Sequence, residues 1–110
     1  MSDIQDITNA LLKFRDERDW AQFHNTKDLA IALNIESSEL LELFLWKTAE
    51  NADRERVKEE LADIIAYTLL LANKFGFNAK QIVLEKIEKN ALKYPVDKAK
   101  GNALKHTELK

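Results

Sequence analysis

The chain has 110 residues, 45% hydrophobic and 33% charged, with a formal net charge of −2, two glycines, one proline and no cysteine. That length supports one domain with one modest core, and so few turn residues favour long helices over a sheet. The weakly acidic balance excludes a global basic field for DNA or RNA. The lack of cysteine excludes disulfides, thiolate zinc sites and cysteine nucleophiles, in keeping with a reducing cytoplasm.

Met1-Ser2-Asp3 has neither the basic flank nor the apolar run of a signal peptide. A first helix is expected to open at Ser2, with Gln5 completing a capping box, and to run through Ile4, Ile7, Leu11 and Phe14 to about Arg18. A polar and aromatic connection, Asp19 to Asn25, leads to a second helix capped by Asn25 or Thr26. From Thr26 to Lys47 the residues Leu29, Ala32, Leu33, Leu40 and Leu43 follow a helical period. Thr48 to Asp53 is the next break, and Asp53 suits the N-cap of a third helix that runs to Phe75 and stops at Gly76. Asn78 and Gln81 open a fourth, carrying Ile82, Val83, Ile87, Ala91 and Leu92 and ended by Pro95. Residues 1–95 read as a single helical domain and 96–110 as a loosely ordered tail. Four helices with short connections predict an all-α, up-and-down bundle.

The stretch Ile64 to Ala72 is too short to span a bilayer. It is apolar around its whole circumference, which predicts burial on all sides. A small monomer has few ways to bury such a helix, so a homo-oligomer is expected, with no membrane and no nucleic-acid polymer among its partners.

Carboxylates interrupt the apolar stripes. Glu36 falls three residues after Leu33 and Glu39 follows one turn later; Glu60 and Asp63 run into Leu61, Ile64 and Ile65 on the next helix. Acidic pairs at this spacing also occur at Asp3/Asp6, Asp16/Asp19 and Glu85/Glu88, so it is the apolar setting that separates these two pairs. Like charges about 5 Å apart repel by roughly 3 kcal/mol at an effective dielectric near 20. A divalent cation, a bound proton or pairing with lysines must relieve that load. Oxygen ligands favour magnesium, with manganese as an alternative. Neither His24 nor His106 falls in an expected helix, which argues against a di-iron centre. Magnesium with few protein ligands keeps positions for water and phosphate, which points to phosphate chemistry.

The segments Glu36-Ser-Ser-Glu-Leu-Leu-Glu-Leu-Phe-Leu-Trp-Lys47 and Glu59-Glu-Leu-Ala-Asp-Ile-Ile-Ala-Tyr67 resemble the all-α MazG-like nucleoside triphosphate pyrophosphohydrolases, whose signature is ExxE, a spacer, then ExxD. Arg18-Asp-Trp-Ala-Gln-Phe-His24 and Lys86-x-x-x-Asn90-x-x-Lys-Tyr-Pro95 extend the resemblance to the dCTP pyrophosphatase branch. It implies cleavage between the α and β phosphates, giving a monophosphate and pyrophosphate. It implies Glu36, Glu39, Glu60 and Asp63 as magnesium ligands, with Glu36, Glu39 and Asp63 serving catalysis. It places Lys47, Tyr67, Lys86, Asn90, Lys93 and Tyr94 with the substrate, and Trp20, Phe23, His24 and Trp46 at the base. It further implies dimers or tetramers that share their sites, and a house-cleaning role on dCTP-like or modified deoxynucleotides. Ser37 and Ser38 stand where the family often has Val and Gly. Two other readings compete: the same fold acting on dUTP or phosphoribosyl-ATP, or a non-catalytic oligomerisation module.

Overall fold

The computed structural model describes residues 2–110, which are helical with no strand among them. They form two compact units, one ending at Phe77 and one spanning Asn78–Lys110. The first holds α1 (Asp3–Glu17), α2 (Thr26–Glu42) and α3 (Arg54–Lys74). α3 packs against both α2 and α1.

Local chemistry sets these boundaries. The Ser2 hydroxyl accepts from the Gln5 backbone N–H at 3.2 Å, and Asn25 Oδ1 accepts from Asp28 at 2.8 Å. Asp53 Oδ1 takes the Glu55 and Arg56 amides at 3.1 and 3.3 Å. Each cap satisfies amides that a helix leaves unpaired in its first turn. Gly76, at φ +76°, adopts the left-handed conformation that ends α3.

α2 is shorter than the 26–47 periodicity suggests. From Leu43 onward the amides bond three residues back: Leu43 to Leu40, Phe44 to Leu41, Leu45 to Glu42. This tightened coil keeps Leu43 buried, at 7% exposure, and ends at Trp46, whose φ is +61°. Ser37 and Ser38 leave α2 intact, each hydroxyl donating to the carbonyl four residues back at 3.0 Å.

The core of the first unit is Leu29, Leu43, Leu69, Leu70 and Ala72, with Thr8 buried and its hydroxyl bonded to the Ile4 carbonyl at 2.8 Å. Each buried leucine contributes about 1.5–3 kcal/mol. The apolar circumference of α3 is only partly covered, since Leu61 and Ile65 remain 44% and 54% exposed. Ile31 and Ile35 on α2 are about half exposed as well.

The second unit holds α4 (Ala79–Lys93), capped by Asn78, and α5 (Val96–Ala99), with Pro95 at its N-cap. The expected tail thus contains one short helix and a 3-10 turn at His106–Glu108. Within this unit the Tyr94 ring meets the His106 ring edge-on, their centroids 5.9 Å apart. No helix among the described residues is long and apolar enough to cross a membrane.

Candidate active site

The pairing of α2 with α3 brings three of the four expected carboxylates together. One oxygen each from Glu36, Glu60 and Asp63 lies within 4.8 Å of the other two. Glu39, one turn further along α2, interacts with Glu36 but adds no oxygen to that trio.

This crowding has an electrostatic signature. The Glu36 carboxyl is pushed up to about 7, first by the hydrogen bond it shares with Glu60, then by burial, then by Glu39 and the negative charge of Asp63. Glu60 Oε2 is buried without a hydrogen-bond partner. The cluster therefore retains a proton up to about pH 7, at a place where a cation would relieve the same crowding. An octahedral magnesium ion keeps its oxygens about 2.1 Å away, so its ligands stand roughly 3–4 Å apart. The donors are all hard oxygens, which suits magnesium or manganese.

Next to the cluster is a cavity of about 270 Å³, lined by Leu11, Phe14, Arg15, Trp20, His24, Asp63, Ala66, Tyr67 and Leu70. Asp63 belongs to both features. At that volume, just under the roughly 300–1,000 Å³ of sites for drug-sized ligands, it suits a single base. Trp20 forms one wall. Its amide donates to the Arg15 carbonyl at 3.0 Å, and its ring meets Phe14 edge-on at 5.7 Å. The Arg18 guanidinium covers the other ring of that pair, 3.6 Å from the Phe14 centroid.

His24 enters the cavity just after the 3-10 turn Ala21–Phe23. Burial lowers its pKa, and the charges of Arg15 and Lys74 lower it further, so the imidazole is neutral at physiological pH. Its Nδ1 is buried without a partner. Tyr67, one turn after Asp63, has its hydroxyl pKa raised by burial and by the charges of Glu36 and Asp63. Its phenol is therefore a proton donor.

Phe23 is 62% exposed and does not line the cavity. Trp46 is 94% exposed and in a left-handed conformation, which costs a bulky side chain about 1–2 kcal/mol. Lys47 follows it, exposed. Lys86, Asn90 and Lys93 lie on α4, and Tyr94 caps it, its amide bonded to the Asn90 carbonyl at 2.8 Å. Sequence reasoning missed the contribution of α1. The sequence marks Phe14 only as an apolar position along the first helix and gives Arg15 no role. The signal was present, because Arg15 lies four residues after Leu11, a charge inside an apolar stripe much as Glu36 is.

The chain is similar to proteins named as pyrophosphatases. The description "MazG-like family" matches residues 31–109. Bovine dCTP pyrophosphatase 1 is 40% identical over 96% of this chain and 68% of its own length; the human protein of the same name is 38% identical over 96% and 67%. A crystal structure of a pyrophosphatase from Archaeoglobus fulgidus superposes with a TM-score of 0.80 at 34% identity, over 86% of this chain and 94% of that one. These likenesses define the class, an enzyme of the nucleotide pyrophosphohydrolases. The chain belongs to the MazG-like family.

Proposed function

We propose that the chain is a magnesium-dependent pyrophosphohydrolase that converts a deoxynucleoside triphosphate into its monophosphate and pyrophosphate, with dCTP and its modified relatives favoured. One observation carries this reading: a cluster of carboxylates shares Asp63 with an aromatic-walled cavity the size of a base. A triphosphate held at the cluster leaves its base beside Trp20 and His24. The relatives' names supply the preference for cytosine.

Glu36, Glu60 and Asp63 would hold the metal, with Glu39 completing the set from the next turn of α2. A divalent ion bound there screens phosphate charge and makes water a better nucleophile. Glu36 or Glu39 accepts the proton that the attacking water loses. The bond between the α phosphorus and the bridging oxygen breaks, and pyrophosphate leaves. Trp20 offers a stacking face to the base, and the Tyr67 hydroxyl donates a hydrogen bond to a phosphate oxygen. Trp46 holds a strained backbone and an exposed indole, a pairing typical of recognition sites. Together with Phe23 it is assigned to closing over the base. Lys47, Lys86, Asn90, Lys93 and Tyr94 are assigned to the phosphates on the family pattern alone.

The enzyme works as a homo-oligomer, a dimer or tetramer. The uncovered apolar side chains Leu61 and Ile65 on α3, with Ile31 and Ile35 on α2, support this assembly. It acts on the free nucleotide pool of the cytoplasm.

The test is product analysis across dCTP, 5-substituted dCTP, dUTP, dTTP, dATP and dGTP with magnesium present. Pyrophosphate and a monophosphate in equal amounts are expected, fastest from the cytosine nucleotides. Orthophosphate as the first product would sink the reading.

A further inference from the structure

We propose that Arg15 is a specificity-determining residue, whose guanidinium reads the paired acceptors O2 and N3 on the edge of a cytosine in the α1–α3 cavity. The inference rests on the reading of that cavity as the base pocket. Arg15 lines it together with Trp20, His24, Asp63 and Tyr67, and its side chain is only 19% exposed. Asp16 fixes the guanidinium. Arg15 Nε and Nη2 each stand 2.8 Å from the same oxygen, Oδ1. Those two contacts occupy one edge of the planar group and two of its five N–H donors. The Nη1–Nη2 edge is left with two parallel N–H bonds, the fork that recognises a pair of adjacent acceptors.

Cytosine presents O2 and unprotonated N3 side by side, followed by a donor amine. Uracil and thymine carry a hydrogen on N3, which would face the fork donor to donor. In its Nε2–H tautomer, His24 supplies this cavity with an acceptor for the cytosine amine. His24 Nδ1 is buried without a partner, and burial together with the Arg15 charge keeps that imidazole neutral. Donor, donor and acceptor from Arg15 and His24 complement acceptor, acceptor and donor on the base. The same pattern disfavours uracil twice.

The test compares binding of dCMP and dUMP, which needs no turnover, with kcat/KM for dCTP and dUTP. The variants are Arg15→Ala and Arg15→Lys. A forked contact predicts that Arg15→Ala cuts the cytosine-to-uracil ratio by about 5- to 100-fold in both measurements, through KM more than kcat. Lysine keeps the charge but not the fork, so Arg15→Lys should restore little of the ratio. Equal losses for both bases, an unchanged ratio, or full rescue by lysine would overturn the assignment. If the wild type turned over no triphosphate, the catalytic reading would fail. The dCMP and dUMP binding ratio would still decide the role of Arg15.

Discussion

Replacing Glu36 by Gln should stabilise the metal-free protein while disabling it as an enzyme. In the folded chain the Glu36 carboxyl rises from the ordinary 4.5 to about 7. At about 1.4 kcal/mol per pH unit, that rise corresponds to roughly 3 kcal/mol in favour of the protonated form, from its hydrogen bond to Glu60, from burial and from the neighbouring carboxylates. Glu36 is only half-buried, so solvent screening reduces the figure to about 1–2 kcal/mol. The sign follows from proton counting. Below pH 4.5 the carboxyl is protonated in both folded and unfolded chains, and its contribution to stability is fully present. Between 4.5 and about 7 the unfolded chain releases the proton and the folded chain keeps it, so stability falls as pH rises and is lost above about 7. Glutamine has no such proton to release and can still donate a hydrogen bond to Glu60. With a chelator present, the variant should melt higher than the wild type at pH 8, by roughly 3–10 °C for a chain of this size. At pH 5 the gap should nearly close. Thermal denaturation by circular dichroism measures both. A variant that melts at or below the wild type at pH 8, or a gap of equal size at pH 5, would refute the reasoning.

Asp63→Asn should lower magnesium-dependent turnover by at least about 100-fold with little change in fold, read by pyrophosphate release and circular dichroism, because it removes one charge shared by cluster and cavity. Gly76→Ala should cost about 1 kcal/mol in urea unfolding. A Cβ there meets nothing within 4 Å, so the cost comes wholly from holding φ at +76°. Ile65→Lys should shift the protein toward a 12.7 kDa monomer in sedimentation velocity, since it places a charge on the half-exposed apolar face of α3. Trp20→Ala should raise KM for the triphosphate several-fold more than it lowers kcat, because it removes a stacking face and leaves the carboxylates in place.

Helix positions and their caps were legible in the sequence because both are local. Ser2, Asn25, Asp53 and Asn78 bond to amides two or three residues away, and all four cap as their residue types require. Gly76 ends α3 for an equally local reason, a backbone angle that other residues resist. The carboxylates could be singled out as well, because a charge within an apolar stripe is visible one helix at a time. What lay beyond the sequence was everything that depends on how α1, α2 and α3 meet. Glu36, Glu60 and Asp63 form a trio with Glu39 beside it because of the packing of α2 on α3, not because of any spacing. The cavity wall of Leu11, Phe14 and Arg15 exists only because α1 packs on α3. Propensity and capping act over a few bonds, whereas side chains distant along the chain converge only when buried surfaces hold their helices in one arrangement.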